Sequence, residues 1–146
     1  MKKILLFDDQ PFISKMLIVI LQRNFDWNKE KLGEITFVST PKELFDKAND
    51  VNIKFDLFVL DIMVPVDLIE ETNLFSKEEI ERMQDGDNTG IVFAEKLRNM
   101  PKYKDVPILF LSARIQPPEM MPNTGYIEKP TFASDFSEKM KEMLNI

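Results

Sequence analysis

Residues 4–9 read Ile4-Leu5-Leu6-Phe7-Asp8-Asp9, four apolar side chains in a row stopped by two acids. A strand that is apolar at consecutive positions has no wet face, so it is buried on both sides, as in a parallel sheet covered by helices. The pattern returns twice. Leu57-Phe58-Val59-Leu60 closes on Asp61, and Ile108-Leu109-Phe110-Leu111 closes on Ser112. Ile35-Thr36-Phe37-Val38 is β-branched and aromatic, and Tyr126-Ile127-Glu128 is a shorter candidate just before Lys129-Pro130.

Helical stretches fill the intervals. From Pro11 to Asn24 the residues Phe12, Ile13, Met16, Leu17, Ile20 and Leu21 form an i, i+3/i+4 stripe behind an early proline. Their spacing reads mostly as core, although Ile18 and Val19 make the segment apolar around much of its circumference. Thr40 precedes Pro41 as an N-cap precedes a first helical proline, and the helix runs to Asn49. Ile91, Ala94 and Leu97 repeat at helical spacing, and Phe136, Met140 and Met143/Leu144 form a last amphipathic helix. Strands alternating with helices predict βαβ units in one α/β domain spanning residues 1–146, with no internal repeat and no linker.

Composition narrows the chemistry. The 146 residues contain no cysteine and no histidine, which excludes thiol catalysis, zinc fingers and imidazole acid–base work. Four glycines cannot write a glycine-rich phosphate cradle. No apolar run is long enough for a bilayer, and Asp8-Asp9 cut the N-terminal run too short for a signal peptide. Zero cysteine favours a reducing, cytoplasmic setting, and a net charge of −6 argues against a broad nucleic-acid-binding face.

That charge is localised. Residues 66–89 hold eight acids and two bases, while the rest of the chain is neutral, which marks an acidic insertion on an otherwise balanced domain. Inside it, Ser76-Lys77-Glu78-Glu79 has the capping-box pattern and predicts a short helix.

In an open parallel sheet, ligands bind beyond the carboxyl ends of the strands. Asp8-Asp9, Asp61, Ser112 and Lys129 all fall at such ends, so residues far apart in sequence converge on one edge. Three carboxylates held together repel unless a cation joins them, and oxygen donors with room for water and phosphate suit Mg²⁺. Three aspartates, one Mg²⁺ and Lys129 sum to zero formal charge. Singly, each feature has a plainer reading: Asp8-Asp9 as acids at a helix start, Asp61 as a turn residue, Ser112 as a cap, Lys129-Pro130 as a solvated loop.

Taken in order, these residues resemble the receiver domain of response regulators, the CheY-like phosphoacceptor of two-component signalling. The resemblance rests on Asp8-Asp9, on Asp61 with Pro65 four positions on, on Gly90 opening a helix, and on Ser112-Ala113, Tyr126 and Lys129-Pro130. It implies a flavodoxin-like, doubly wound, five-stranded parallel sheet of order 2-1-3-4-5. It also implies roles. Asp61 would be the nucleophile that forms an aspartyl phosphate. Asp8, Asp9, Asp61 and the backbone carbonyl of Met63 would hold Mg²⁺, Asp8 through water. Lys129 would pair with a phosphoryl oxygen, Ser112 would donate its hydroxyl once phosphorus is bound, and Tyr126 would change rotamer with it. Phe12 and Ile13, on the first helix beside the site, would dock a histidine kinase or a histidine phosphotransfer protein.

Two departures from the family pattern stand out. The acidic insertion follows the third strand, where it would shield the site or decorate the surface. Only eleven residues, three of them proline counting Pro117, Pro118 and Pro122, separate Ala113 from Gly125, so the fourth helix is expected to be shortened or missing and the chain a monomer. The expected function is that of a stand-alone receiver, signalling by altered binding to a downstream protein and catalysing no more than its own slow dephosphorylation. The alternative is a receiver-like adaptor that is never phosphorylated and works by constitutive binding. An aspartate-nucleophile phosphatase ranks lower, because Met63 stands where that chemistry wants a second aspartate.

Overall fold

Along the chain the elements run β1 (Lys2–Phe7), α1 (Pro11–Asn24), β2 (Gly33–Val38), α2 (Pro41–Asn49), β3 (Leu57–Leu60), α3 (Lys77–Arg82), α4 (Thr89–Arg98), a 3-10 turn (Pro101–Tyr103), β4 (Ile108–Ser112), β5 (Thr124–Glu128) and α5 (Ala133–Leu144). They come from a computed structural model that describes residues 1–24, 33–64, 73–84, 88–113, 121–129 and 131–146, without the side chains of residues 11, 13, 14 and 24. The interval expected to lack a fourth helix falls largely on residues 114–120 and lies outside the described residues, as do Pro65, Pro130 and the first part of the insertion.

The strands form one sheet in the order β2-β1-β3-β4-β5, and every neighbouring pair is parallel. This is the flavodoxin-like order that the resemblance implies. Side chains alternate across the pleat, and the alternation sorts the apolar runs into two cores. Leu5 and Phe7, Phe58 and Leu60, and Ile108 and Phe110 face the layer that contains Leu44, Phe45, Val92, Phe93 and Leu97 of α2 and α4. Ile4 and Leu6, Leu57 and Val59, and Leu109 and Leu111 face Leu17, Ile18 and Leu21 of α1 and Phe136, Met140 and Leu144 of α5. Burial on both faces is why no polar residue interrupts these strands.

Helix α1 departs from the expected stripe. Among its described side chains Leu17, Ile18 and Leu21 are buried, whereas Phe12 is 76% exposed and Met16, Val19 and Ile20 also face water. A helix apolar around most of its girth offers more than one arc to the sheet. The arc chosen is the one that meshes with Ile4, Leu6 and α5.

Strand β5 starts at Thr124, two residues before its sequence signal, because Gly125 carries no strand-forming side chain. A Cβ there would meet Met143 Sδ at 2.9 Å, so α5 packs close against the strand at that point.

The expected caps are present. Thr40 Oγ1 accepts from the Glu43 amide at 3.2 Å. At α3 both halves of the capping box form, with Glu79 N donating to Ser76 Oγ at 3.2 Å and Ser76 N to Glu79 Oε1 at 2.9 Å.

The described part of the insertion is anchored in the core by two side chains. Phe75 and Met83 are buried in the layer of α2 and α4. The Phe75 ring stacks on Phe93 at 5.3 Å and meets Phe45 edge-on at 5.6 Å. Arg82 donates two bonds to the Glu95 carboxylate, at 2.6 and 2.9 Å, on the outside of the same contact.

Candidate functional site

The sheet ladder carries its regularity past the strand ends and so sets the backbone of the site. Asp8 N donates to Val38 O of β2 at 3.2 Å, Asp61 N to Phe7 O of β1 at 3.1 Å, and Lys129 N to Ser112 O of β4 at 2.7 Å. The backbones of Asp8, Asp61 and Lys129 are therefore fixed by the neighbouring strand before their side chains make any contact.

The side chains then converge. Lys129 Nζ lies 2.7 Å from Asp8 Oδ2 and 3.4 Å from Asp61 Oδ2. One carboxylate oxygen from each of Asp8, Asp9 and Asp61 lies within 4.8 Å of the others. Asp8 is 2% exposed and Asp61 7%. Local turns hold the rotamers: Gln10 N donates to Asp8 Oδ1 at 2.9 Å, and Met63 N to Asp61 Oδ1 at 3.2 Å.

Three acids against one ammonium leave a buried surplus of negative charge. Burial first, opposed by Lys129 and reinforced by the Asp8 and Asp9 charges, raises the Asp61 carboxyl from 3.8 to about 7. Asp9 is raised too, first by burial, with the hydrogen bond from Asp61 opposing and the Asp8 charge adding. Burial works against the Lys129 ammonium, but Asp61 and Asp8 outweigh it and its pKa stands above the ordinary value. A hard divalent cation among these oxygens would remove the surplus. In an octahedron with bonds of about 2.1 Å, opposite ligands are about 4.2 Å apart, so the donor cluster is near the span Mg²⁺ requires.

Ser112 is fully buried at the end of β4, two residues beyond Phe110, which pairs in register with Leu60 just before Asp61. Tyr126 is half-buried against the layer of α2 and α4 and pairs with Phe110. Met63 turns its side chain to solvent. Phe12 is exposed on α1, four residues after Asp8, and the Ile13 side chain lies outside the described residues.

Two residues of the opposite wall also shape the site. Gly90 N donates to Ile62 O at 2.9 Å, and a Cβ at Gly90 would overlap the Asp61 carbonyl oxygen and stand 2.6 Å from Ile62 Cα. Only glycine permits α4 to start that close to the Asp61 loop. The neighbouring Thr89, fully buried, donates from Oγ1 to Val64 O at 3.0 Å. Sequence reading passes over Thr89, because a threonine at a helix start reads as a cap; its actual acceptor is 25 residues away.

No protein-family model and no curated protein sequence matches the chain. Solved structures do. A CheY-like response regulator receiver domain protein from Methanospirillum hungatei is 21% identical with a TM-score of 0.66, over 99% of this chain and 94% of that one. A response regulator from Desulfuromonas acetoxidans is 18% identical with a TM-score of 0.67, over 99% and 98%. The response regulator protein TrrA from Thermotoga maritima, solved in complex with Mg²⁺-BeF, is 25% identical with a TM-score of 0.62, over 98% and 99%. Identity at this level speaks for architecture, which here extends over nearly the whole of each chain. This protein therefore has the fold of the CheY-like receiver domains of response regulators.

Proposed function

We propose that the chain accepts a phosphoryl group from a phosphohistidine onto Asp61, and signals through the change this makes in its binding to a downstream protein. The observation that carries the reading is the meeting of Asp8, Asp9, Asp61 and Lys129 at one strand edge, from positions up to 121 residues apart.

An Asp61 carboxylate oxygen attacks phosphorus, a P–O bond forms, and the P–N bond breaks with its electron pair on the imidazole, which takes a proton from solvent. Such a transfer asks for in-line placement and charge neutralisation more than for covalent help. Lys129, already 3.4 Å from the acceptor, supplies one positive charge to the incoming oxygens. Mg²⁺ held by Asp9, Asp61, the Met63 carbonyl and, through water, Asp8 would supply the rest of that neutralisation. The hydroxyl of Ser112 has its best acceptor only after phosphorylation, which makes it and Tyr126 the readout. The solvent-facing apolar arc of α1 around Phe12 is the docking surface for the kinase or phosphotransfer partner.

On this reading the protein works as a cytoplasmic monomer, and its own catalysis is limited to slow hydrolysis of the aspartyl phosphate. Among the described residues no helix is long and apolar enough to cross a membrane.

The test is mass measurement after incubation with acetyl phosphate. A Mg²⁺-dependent gain of one phosphoryl, absent in Asp61→Asn, is the expected result. No gain under any condition would replace the proposal with a constitutive adaptor, and rapid turnover of unrelated phosphate esters would replace it with a phosphatase.

A further inference from the structure

We infer that Thr89 is a positioning residue for the Mg²⁺ site, fastening the Asp61–Val64 loop to the start of α4; this role rests on the phosphoacceptor reading above. The insertion leaves the site after Val64 and returns at Thr89, and its two ends are tied to each other. One tie is Thr89 Oγ1 to Val64 O at 3.0 Å, the other Gly90 N to Ile62 O at 2.9 Å. Between and beside those two acceptors lie Asp61 and Met63, the donor side chain and the donor carbonyl.

The side of α4 that receives the ties is itself immobilised. Phe93 is fully buried, gripped by Phe7 of β1 at 5.4 Å and by Phe75 of the insertion at 5.3 Å. Thr89 thus links the loop to a rigid body that also contacts β1, the strand leading into Asp8 and Asp9. A hydroxyl that donates to a backbone carbonyl from a buried position favours one orientation of that peptide, because turning the carbonyl away breaks a hydrogen bond at a place closed to water. The Val64 peptide follows Met63 directly, so its orientation constrains the one before it. Groups of this kind, which touch no metal, commonly set the affinity of those that do.

The experiment compares Thr89→Val, which keeps the shape and removes the donor, with Thr89→Ser, which keeps the donor. Mg²⁺ alone is titrated by calorimetry into each protein. The control is Tyr103→Phe, which deletes a similar buried bond, Tyr103 Oη to Ala48 O at 3.0 Å, away from the strand ends that carry the acids.

Thr89→Val is expected to bind Mg²⁺ about tenfold more weakly, with Thr89→Ser within about twofold of the parent. Tyr103→Phe is expected to lose thermal stability with unchanged Mg²⁺ affinity. Equal affinity in folded Thr89→Val and parent overturns the role, as does equal weakening in Tyr103→Phe. A parent protein that binds no Mg²⁺ overturns the phosphoacceptor reading and this role together.

Should Thr89→Val not fold, the parent answers alone. Linkage requires that a loop arrangement favouring Mg²⁺ be favoured by it in return. Exchange of the Gly90 amide hydrogen, bonded to Ile62 O, is then expected to slow on adding Mg²⁺, and an unchanged rate overturns the inference.

Discussion

Asp61 holds its place in the core at a cost, and the cost has a sign. In the unfolded chain its proton leaves near the ordinary 3.8, in the folded one near about 7. Between those values the folded state binds the extra proton, so stability falls as pH rises through that window, and the full penalty applies above it. Asp61→Asn removes the penalty. Without divalent cation it is expected to melt about 3–8 °C above the parent in mildly alkaline buffer, with the two converging as the buffer is made acidic; thermal scans across that range check this. A parent no less stable at high pH would mean that Lys129 fully compensates the charge. At this scale much was legible. An apolar run that ends on Asp8-Asp9, Asp61 or Ser112 announces a strand end, and strand ends in a parallel sheet share an edge. Thr89 was not legible, since its acceptor at Val64 is near it only in space.

Elements divide by how much of their environment is local. The capping box at Ser76 and the Thr40 cap with its proline are contacts within one turn, so their residues foretell them. Which face of α1 is buried depends on a partner surface, and the apolar arc through Phe12, Met16 and Ile20 faces water instead. The insertion shows the same limit. Its acids suggested a shield over the site or a surface decoration, yet two of its apolar residues, Phe75 and Met83, anchor it in the core. Met83→Ala is therefore expected to cost about 2–5 kcal/mol, read as a lower denaturation midpoint with unchanged slope. Arg82→Ala breaks the more conspicuous contact with Glu95, but Arg82 is exposed and Glu95 half-buried, and its cost is expected to be no more than about 1 kcal/mol.

On the proposed function, chemistry and recognition sit at one end of the sheet but rest on different surfaces. The aspartates and Lys129 are sunk at the strand ends, whereas Phe12 stands out on α1. Phe12→Ala is expected to slow transfer from a phosphohistidine-bearing protein about tenfold or more, while leaving modification by acetyl phosphate unchanged. Equal slowing with both donors would place Phe12 in the chemistry, and no slowing would move the docking surface elsewhere. The sequence by itself determined the alternation of strands and helices, the two-sided burial of β1, β3 and β4, and the acids and lysine brought to one edge, because these follow from short-range patterning and from the topology of parallel sheets. Only the tertiary structure decided which arc of α1 is buried, that the acidic insertion contributes to the core, and that Thr89 and Gly90 brace the Asp61 loop. Those depend on close approach between segments distant in the chain, and such contacts leave no period in the sequence.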